Sequence, residues 1–168
     1  MKNQLLQQLY IKYQKEIYLY LFSLSHNSHI AEDLTQETFL KALLSLSDSH
    51  SNMRAWLYTV ARNLYFNYRK KETQNISLED MDDILQDEKS AQLLNRLLLD
   101  ERSRLLFQAL QHLNYQKREV LTLQYYGGLS QKEISALLKI SPENVRVLAH
   151  RGKQELKKYM EDNNYDLS

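Results

Sequence analysis

The sequence predicts an all-α protein of two small helical domains joined by an acidic linker, the second domain containing a helix-turn-helix. Three observations carry this expectation. Glycine and proline are scarce, 3 and 1 in 168 residues, while apolar residues recur at helical spacing almost throughout. The net charge of +1 is unevenly divided: residues 1–71 hold nine Lys/Arg against five Asp/Glu, residues 72–100 two against eight, and residues 101–168 eleven against eight. Two capped helices, separated by about three residues, stand side by side within residues 130–158. The expected boundaries are therefore a first domain at 1–71, a flexible linker at 72–96 and a second domain at 97–168.

Several classes are excluded or disfavoured. With no cysteine, disulfides and thiolate metal sites are ruled out, and a reducing cytoplasm fits. No apolar run reaches the length of a membrane span, and Met1-Lys2-Asn3-Gln4 opens no signal-peptide core, so neither membrane insertion nor export is expected. His26 and His29 near Glu32 and Asp33 match no metal-ligand spacing, so no metal or other cofactor is expected. No nucleophile with a positioned base and no phosphate loop is present, so no catalytic residues are assigned and the chain is not expected to be an enzyme.

Taken in order, residues 3–24 read as a long amphipathic helix. Leu6, Leu9, Tyr10, Tyr13, Ile17, Tyr20 and Leu21 keep the i, i+3, i+4 pattern, with tyrosine hydroxyls expected at the rim. His26 to His29 reads as a turn. Residues 30–46 read as a second helix with Glu32 and Asp33 in its first turn, where acids complement the helix dipole. Leu34, Phe39, Ala42, Leu43 and Leu46 point inward; Asp33, Gln36 and Glu37 share the opposite face. That face is either solvated or a docking ridge for a basic or polar partner helix.

Ser45 to Asn52 reads as a polar loop, and residues 53–71 as a third helix. Its core stripe is Trp56, Leu57, Val60, Ala61, Leu64 and Tyr68. Tyr58, Arg62, Tyr65, Phe66, Arg69 and Lys70 fall on the other side. Rings among cations suit single-stranded nucleic acid, whose bases stack while its phosphates meet the cations. Packing on a neighbouring helix is the alternative for Tyr65 and Phe66. In the linker, six of the ten residues from Glu79 to Glu88 are acidic, as in a flexible tether. Two further helices at 97–112 and 115–126 supply Leu105, Leu106, Leu110, Leu113, Val120, Leu121 and Leu123 as a platform.

The stretch Ser130–Lys158 is the most explicit. Gly127 and Gly128 end the preceding helix. Ser130 with Glu133 is a capping box, and Ser141 followed by Pro142 is an N-cap with proline at the first helical position. In the second helix Val145, Ala149, Gly152 and Leu156 form one narrow apolar stripe, Gly152 being small enough for close approach. Arg146, His150, Lys153 and Lys157 form the adjacent stripe, and Val147, Arg151 and Lys158 extend it. A basic face after a tight turn suits the major groove of DNA.

Three stretches in this order resemble the sigma-70 family of RNA polymerase sigma factors, in its extracytoplasmic-function (ECF) group. Ala31–Phe39 is similar to the core-binding segment. Asn52–Lys71, with Trp56-Leu57, Ala61-Arg62-Asn63 and Tyr68-Arg69, is similar to the minus-ten-reading helix. Leu113–Lys158 is similar to the minus-thirty-five-reading domain. The resemblance implies an alternative sigma factor that directs promoter-specific initiation. It implies that Asp33, Gln36 and Glu37 contact the coiled coil of the polymerase beta-prime subunit, with the beta flap as a further polymerase contact. It implies that Arg62, Asn63, Phe66, Asn67, Arg69 and Lys70 engage minus-ten promoter DNA and capture the non-template strand. Arg146, Val147, His150 and Arg151 would read the minus-thirty-five element, with Lys153 and Lys157 on phosphates. Such factors are often held inactive by an anti-sigma protein. The chain departs from the family pattern at Lys139, where Gly is usual in the turn, at Leu148, where Arg is common, and at Asn67, where Asp is common.

The competing expectation is an autonomous dimeric helix-turn-helix regulator. It predicts tight binding to paired half-sites without polymerase, and the two separated basic blocks and the Asp33/Gln36/Glu37 ridge speak against it. A linker of about 25 residues reaches about 80 Å when extended, enough for one to two turns of DNA at about 34 Å each.

Overall fold

The computed structural model describes residues 2–45, 52–72, 97–98 and 100–163. The expected linker at 72–96, most of the loop before Met53, Leu46 and the tail beyond residue 163 lie outside or largely outside them. The chain divides into two compact units, Met1–Ser90 and Ala91–Ser168. Among the described residues there are seven helices and no strand.

The first unit holds α1 (Lys2–Ser25), α2 (Ser28–Ser45) and α3 (Met53–Glu72). The corner between α1 and α2 is two residues long, which forces antiparallel neighbours. His26 takes the left-handed conformation, φ 52°, and its N–H donates to the Phe22 carbonyl at 2.7 Å. Asn27 then caps α2: its Oδ1 accepts from the N–H groups of His29 at 2.9 Å and Ile30 at 3.2 Å. This cap starts α2 earlier than the expected residue 30. Glu32 and Asp33 consequently sit in the second turn, beyond the free N–H groups, and their expected dipole role is lost.

The buried face of α2 is Ala31, Leu34, Thr35, Thr38, Phe39 and Ala42. Two threonines are tolerated there because each hydroxyl donates back along its own helix, Thr35 to the Ala31 carbonyl at 2.6 Å and Thr38 to that of Leu34 at 2.7 Å. Tyr10 meets Phe39 edge-on at 5.2 Å. Arg54 at the start of α3 lies over the Tyr13 ring at 5.4 Å, and its Nε donates to the Glu16 carboxylate at 3.1 Å. Burial raises the pKa of that carboxyl, with Arg54 pulling the other way.

The face that α3 buries differs from the expected one. It consists of Leu57, Tyr58, Ala61, Leu64 and Tyr65, whereas Trp56, Val60 and Tyr68 are only half-buried. Tyr58 packs edge-on against Tyr20 at 5.1 Å, and Tyr20 is itself enclosed rather than at the rim. The Tyr65 hydroxyl donates to the Leu24 carbonyl at 2.9 Å. That carbonyl belongs to the last turn of α1, which has no acceptor-satisfying partner within its own helix. A tyrosine that reaches it is drawn inward, and the helix turns to accommodate it.

The second unit holds α4 (Glu101–Leu110), α5 (Tyr115–Tyr125), α6 (Gln131–Leu138) and α7 (Pro142–Asp162). Every one of them begins on a side-chain cap. Asp100 accepts from the Arg102 N–H, Asn114 from Lys117, Ser130 from Glu133 and Ser141 from Asn144. The expected helix 97–112 is interrupted: residue 97 is helical, Leu98 is not, and the Asp100 cap starts α4 afresh at Glu101. The core gathers Phe107, Leu110, Leu121, Leu123, Ile134, Val145 and Leu156, all buried, while Leu105 and Leu106 are half-buried.

The helix-turn-helix is locked by local bonds. Gly128 is left-handed, φ 62°, and lets the Leu129 N–H turn back to the Leu123 carbonyl at 3.1 Å. The capping box is complete: the Ser130 N–H donates to Glu133 Oε1 at 2.8 Å, and the Glu133 N–H to Ser130 Oγ at 3.1 Å. Lys139 ends α6 in the left-handed region, φ 58° and ψ 42°, where a side chain costs about 1–2 kcal/mol. The Ser135 hydroxyl donates to the Ile140 carbonyl at 2.6 Å, and Gln131 Nε2 to the Pro142 carbonyl at 2.8 Å, tying α6 to the start of α7.

Candidate nucleic-acid interfaces

Helix α7 separates two chemistries by rotation alone. Val145, Ala149, Gly152, Leu156 and Met160 are buried. Gly152 meets α5: a Cβ there would lie 2.9 Å from Leu121 Cδ1 and 3.3 Å from Lys117 Cβ. Lys117 also forms an ion pair with Glu155 of α7. With α7 clamped in this way, Arg146, His150, Arg151, Lys153 and Lys157 are all exposed, and Val147 is half-buried between the faces. Arg146 stands 3.7 Å from Glu143, a loose pair with both side chains mostly in solvent; such contacts contribute little and yield readily to a stronger acceptor.

On α3, Asn63, Asn67, Arg69 and Lys70 are exposed, and Arg62 and Phe66 are half-buried. The Arg62 guanidinium lies 4.6 Å above the Phe66 ring, and Tyr65 meets that ring edge-on at 5.3 Å. Phe66 is therefore held in place by neighbours of its own helix. Tyr65, left open by the sequence between stacking and packing, is packed. Its hydroxyl also accepts from Arg69 Nη1 at 3.0 Å, so one donor of an exposed cation is anchored to the interior.

On α2, Asp33, Gln36 and Glu37 are exposed and border a groove of about 480 Å³. Ile30, Leu40 and Tyr68 contribute its apolar lining. Burial raises the Tyr68 pKa, and the charges of Glu72 and Asp33 add to the shift. Tyr68 thus leaves its expected place in the core stripe to wall this groove. Leu40 was not anticipated as a surface residue. The signal was available: it lies seven residues beyond Asp33, on the same face.

Among the described residues no group of three or more His, Asp or Glu side chains is placed to hold a metal ion, and no helix is long and apolar enough to cross a membrane.

Comparison with known proteins assigns the family. Residues 9–75 match the sigma-70 region 2 model and residues 103–156 the sigma-70 region 4 model. The chain is 32% identical over 151 residues to the ECF RNA polymerase sigma factor SigM of Bacillus subtilis, covering 89% of this chain and 91% of that one. It is 35% identical over 161 residues to the RNA polymerase sigma factor YlaC of the same organism, covering 92% and 91%. In fold it is similar to CnrH, solved in complex with the cytosolic domain of CnrY, at a TM-score of 0.65 and 21% identity, covering 95% of this chain and 90% of that one. It is likewise similar to the sigma factor RpoE of Bartonella quintana, solved with the anti-sigma factor NepR, at 0.64 and 22%, covering 92% and 96%. With both regions matched in order and close relatives covered nearly end to end, the chain belongs to the ECF group of the sigma-70 family and is a sigma factor that directs transcription initiation.

Proposed function

We propose that residues 1–71 bind core RNA polymerase and the minus-ten element, and residues 97–168 the minus-thirty-five element, with residues 72–96 as their tether. Asp33, Gln36 and Glu37 dock on the beta-prime coiled coil, and the second unit rests on the beta flap. Phe66 stacks on a base of the opened non-template strand, while Arg62, Asn63, Asn67, Arg69 and Lys70 hold bases and phosphates around it. Arg146, Val147, His150 and Arg151 read base edges in the major groove, and Lys153 and Lys157 neutralise phosphates.

The observation that carries this reading is that each of the two separately packed units presents one exposed cationic helix face. Each face is small, so neither binds DNA strongly alone. Docking both on one polymerase turns the second contact into an intramolecular event and raises its effective concentration. The RpoE relative was solved with an anti-sigma factor; by the same chemistry an anti-sigma protein that covers α2 would keep this chain from polymerase.

The test is to incubate the purified chain with core polymerase and a library of promoter fragments. Co-elution with the core and initiation from a defined subset of fragments are expected. A chain that ignores polymerase yet grips a paired operator as a dimer would overturn the proposal.

A further inference from the structure

Two groups on the outward face of α3, Phe66 and Arg69, share one buried neighbour. Tyr65 is 3% exposed, and its hydroxyl donates to the Leu24 carbonyl at 2.9 Å. A phenol oxygen that gives its proton away still has lone pairs, and here it accepts from Arg69 Nη1 at 3.0 Å. The direction of both bonds is fixed, because a guanidinium only donates and a carbonyl only accepts. In such a chain each bond polarises the next. The Tyr65 ring meets Phe66 edge-on at 5.3 Å, while the Arg62 guanidinium lies 4.6 Å above the same ring. Arg69 itself is exposed, and Tyr65 takes up only one of its five N–H donors.

The geometry points to Tyr65 as a positioning residue for capture of the opened strand: its hydroxyl holds the Arg69 guanidinium and its ring holds Phe66, at a set spacing, before DNA arrives. Two features select this over simple packing. Burial of a tyrosine hydroxyl requires one partner, and the Leu24 carbonyl already supplies it. The second bond reaches outward to a surface cation that the interior does not need. Leu24 also belongs to α1, so Arg69 is registered against a neighbouring helix as well as its own. A long cation on a helix surface otherwise samples many rotamers and loses that freedom on binding. In this arrangement much of it is lost beforehand. A single strand calls for a ring beneath a base and a cation beside a phosphate, and one residue sets the distance between the two.

This role rests on the proposed minus-ten contact of Arg69, and the experiment separates the two. Wild-type, Tyr65→Phe, Arg69→Ala and doubly substituted full chains are each assembled with core polymerase on a promoter fragment that the wild type selects. A fluorescent base analogue in the minus-ten element reports strand opening, at a temperature where all four chains have the wild-type helix content. Phenylalanine keeps the ring beside Phe66, so any difference belongs to the hydroxyl. Tyr65→Phe is expected to slow opening about two- to ten-fold, the cost of immobilising one long side chain on binding. Arg69→Ala is expected to slow it as well, and Tyr65→Phe to add nothing in that background. Equal slowing by Tyr65→Phe in both backgrounds makes the hydroxyl structural and overturns the positioning role. Normal opening by Tyr65→Phe beside an impaired Arg69→Ala overturns that role alone. Normal opening by Arg69→Ala overturns the minus-ten contact beneath it. A second measurement needs neither polymerase nor DNA. Nitrogen relaxation at Arg69 Nε of the free full chain should show a guanidinium more rigid than that of the exposed Arg151, and more rigid than Arg69 in Tyr65→Phe. Mobility equal to that of Arg151 overturns the proposal without recourse to any variant.

Discussion

Substituting Gly152→Ala tests how tightly the recognition helix is seated. The added Cβ would lie 2.9 Å from Leu121 Cδ1, 3.4 Å from Leu121 Cγ and 3.3 Å from Lys117 Cβ. None of these can yield cheaply. Leu121 is fully buried, so its rotation displaces other core side chains, and Lys117 Cβ is fixed to the backbone of α5. Forcing one methyl into a filled contact costs about 1–3 kcal/mol. Against this, alanine gains up to about 1 kcal/mol over glycine inside a helix. The net expectation is a loss of about 1–2 kcal/mol, lowering the melting temperature of a unit this size by roughly 4–8 °C per kcal/mol. The single tryptophan, Trp56, lies in α3, so its emission reports the other unit. Hydrogen exchange at Ile134 and Val145 is the appropriate assay. Pairing the change with Leu121→Val supplies room, and the double variant should lose less than the two singles together, by about 0.5–3 kcal/mol. Unchanged or raised protection in Gly152→Ala would show that helix propensity outweighs the contact and that α7 is not held by close approach to α5.

Lys139→Gly should raise the stability of the second unit by about 0.5–1 kcal/mol, because relief of left-handed strain outweighs the extra freedom of glycine in the unfolded chain; hydrogen exchange in α6 and α7 reads this, and a loss would place a compensating contact on the lysine. Tyr65→Phe should cost about 0.5–1.5 kcal/mol by leaving the Leu24 carbonyl without its donor, read by urea unfolding through Trp56 emission; no change would make the hydroxyl's position incidental. Arg146→Ala should cost about 1–3 kcal/mol at the upstream element if it makes a bidentate base contact, measured by binding of the polymerase-bound chain to matched and mismatched duplexes; equal loss on all sequences would make it a phosphate contact. Phe66→Ala should impair strand opening more than closed-complex binding, measured by base reactivity in the melted region; the reverse order would return Phe66 to a packing role.

Local chemistry explains how much could be read from the residues. The helix-turn-helix was legible because its determinants sit within three residues of what they act on: Ser130 with Glu133, Ser141 with Pro142, and Gly128 at a left-handed position. The exposed cations of α7 and the ridge of Asp33, Gln36 and Glu37 followed from helical spacing. The orientation of α3 did not. Tyrosine counts as apolar or polar according to what its hydroxyl meets, and Tyr65 turns inward for a carbonyl forty-one residues away. The start of α2 was misplaced because Asn27, which can close a turn or open a helix, does the latter. Leu40 was overlooked because Leu34, Phe39, Ala42, Leu43 and Leu46 already supplied an inward face for α2, and the outward face was read from its polar residues alone.

The run of caps at Asp100, Asn114, Ser130 and Ser141 has a kinetic consequence. Each helix start in this unit is decided by its immediate neighbours along the chain, without waiting for distant segments to meet. Architectures dominated by such short-range decisions assemble in roughly microseconds to milliseconds. A unit specified in this way carries the instructions for its own repair, so a transient loss of structure is made good on that same short timescale.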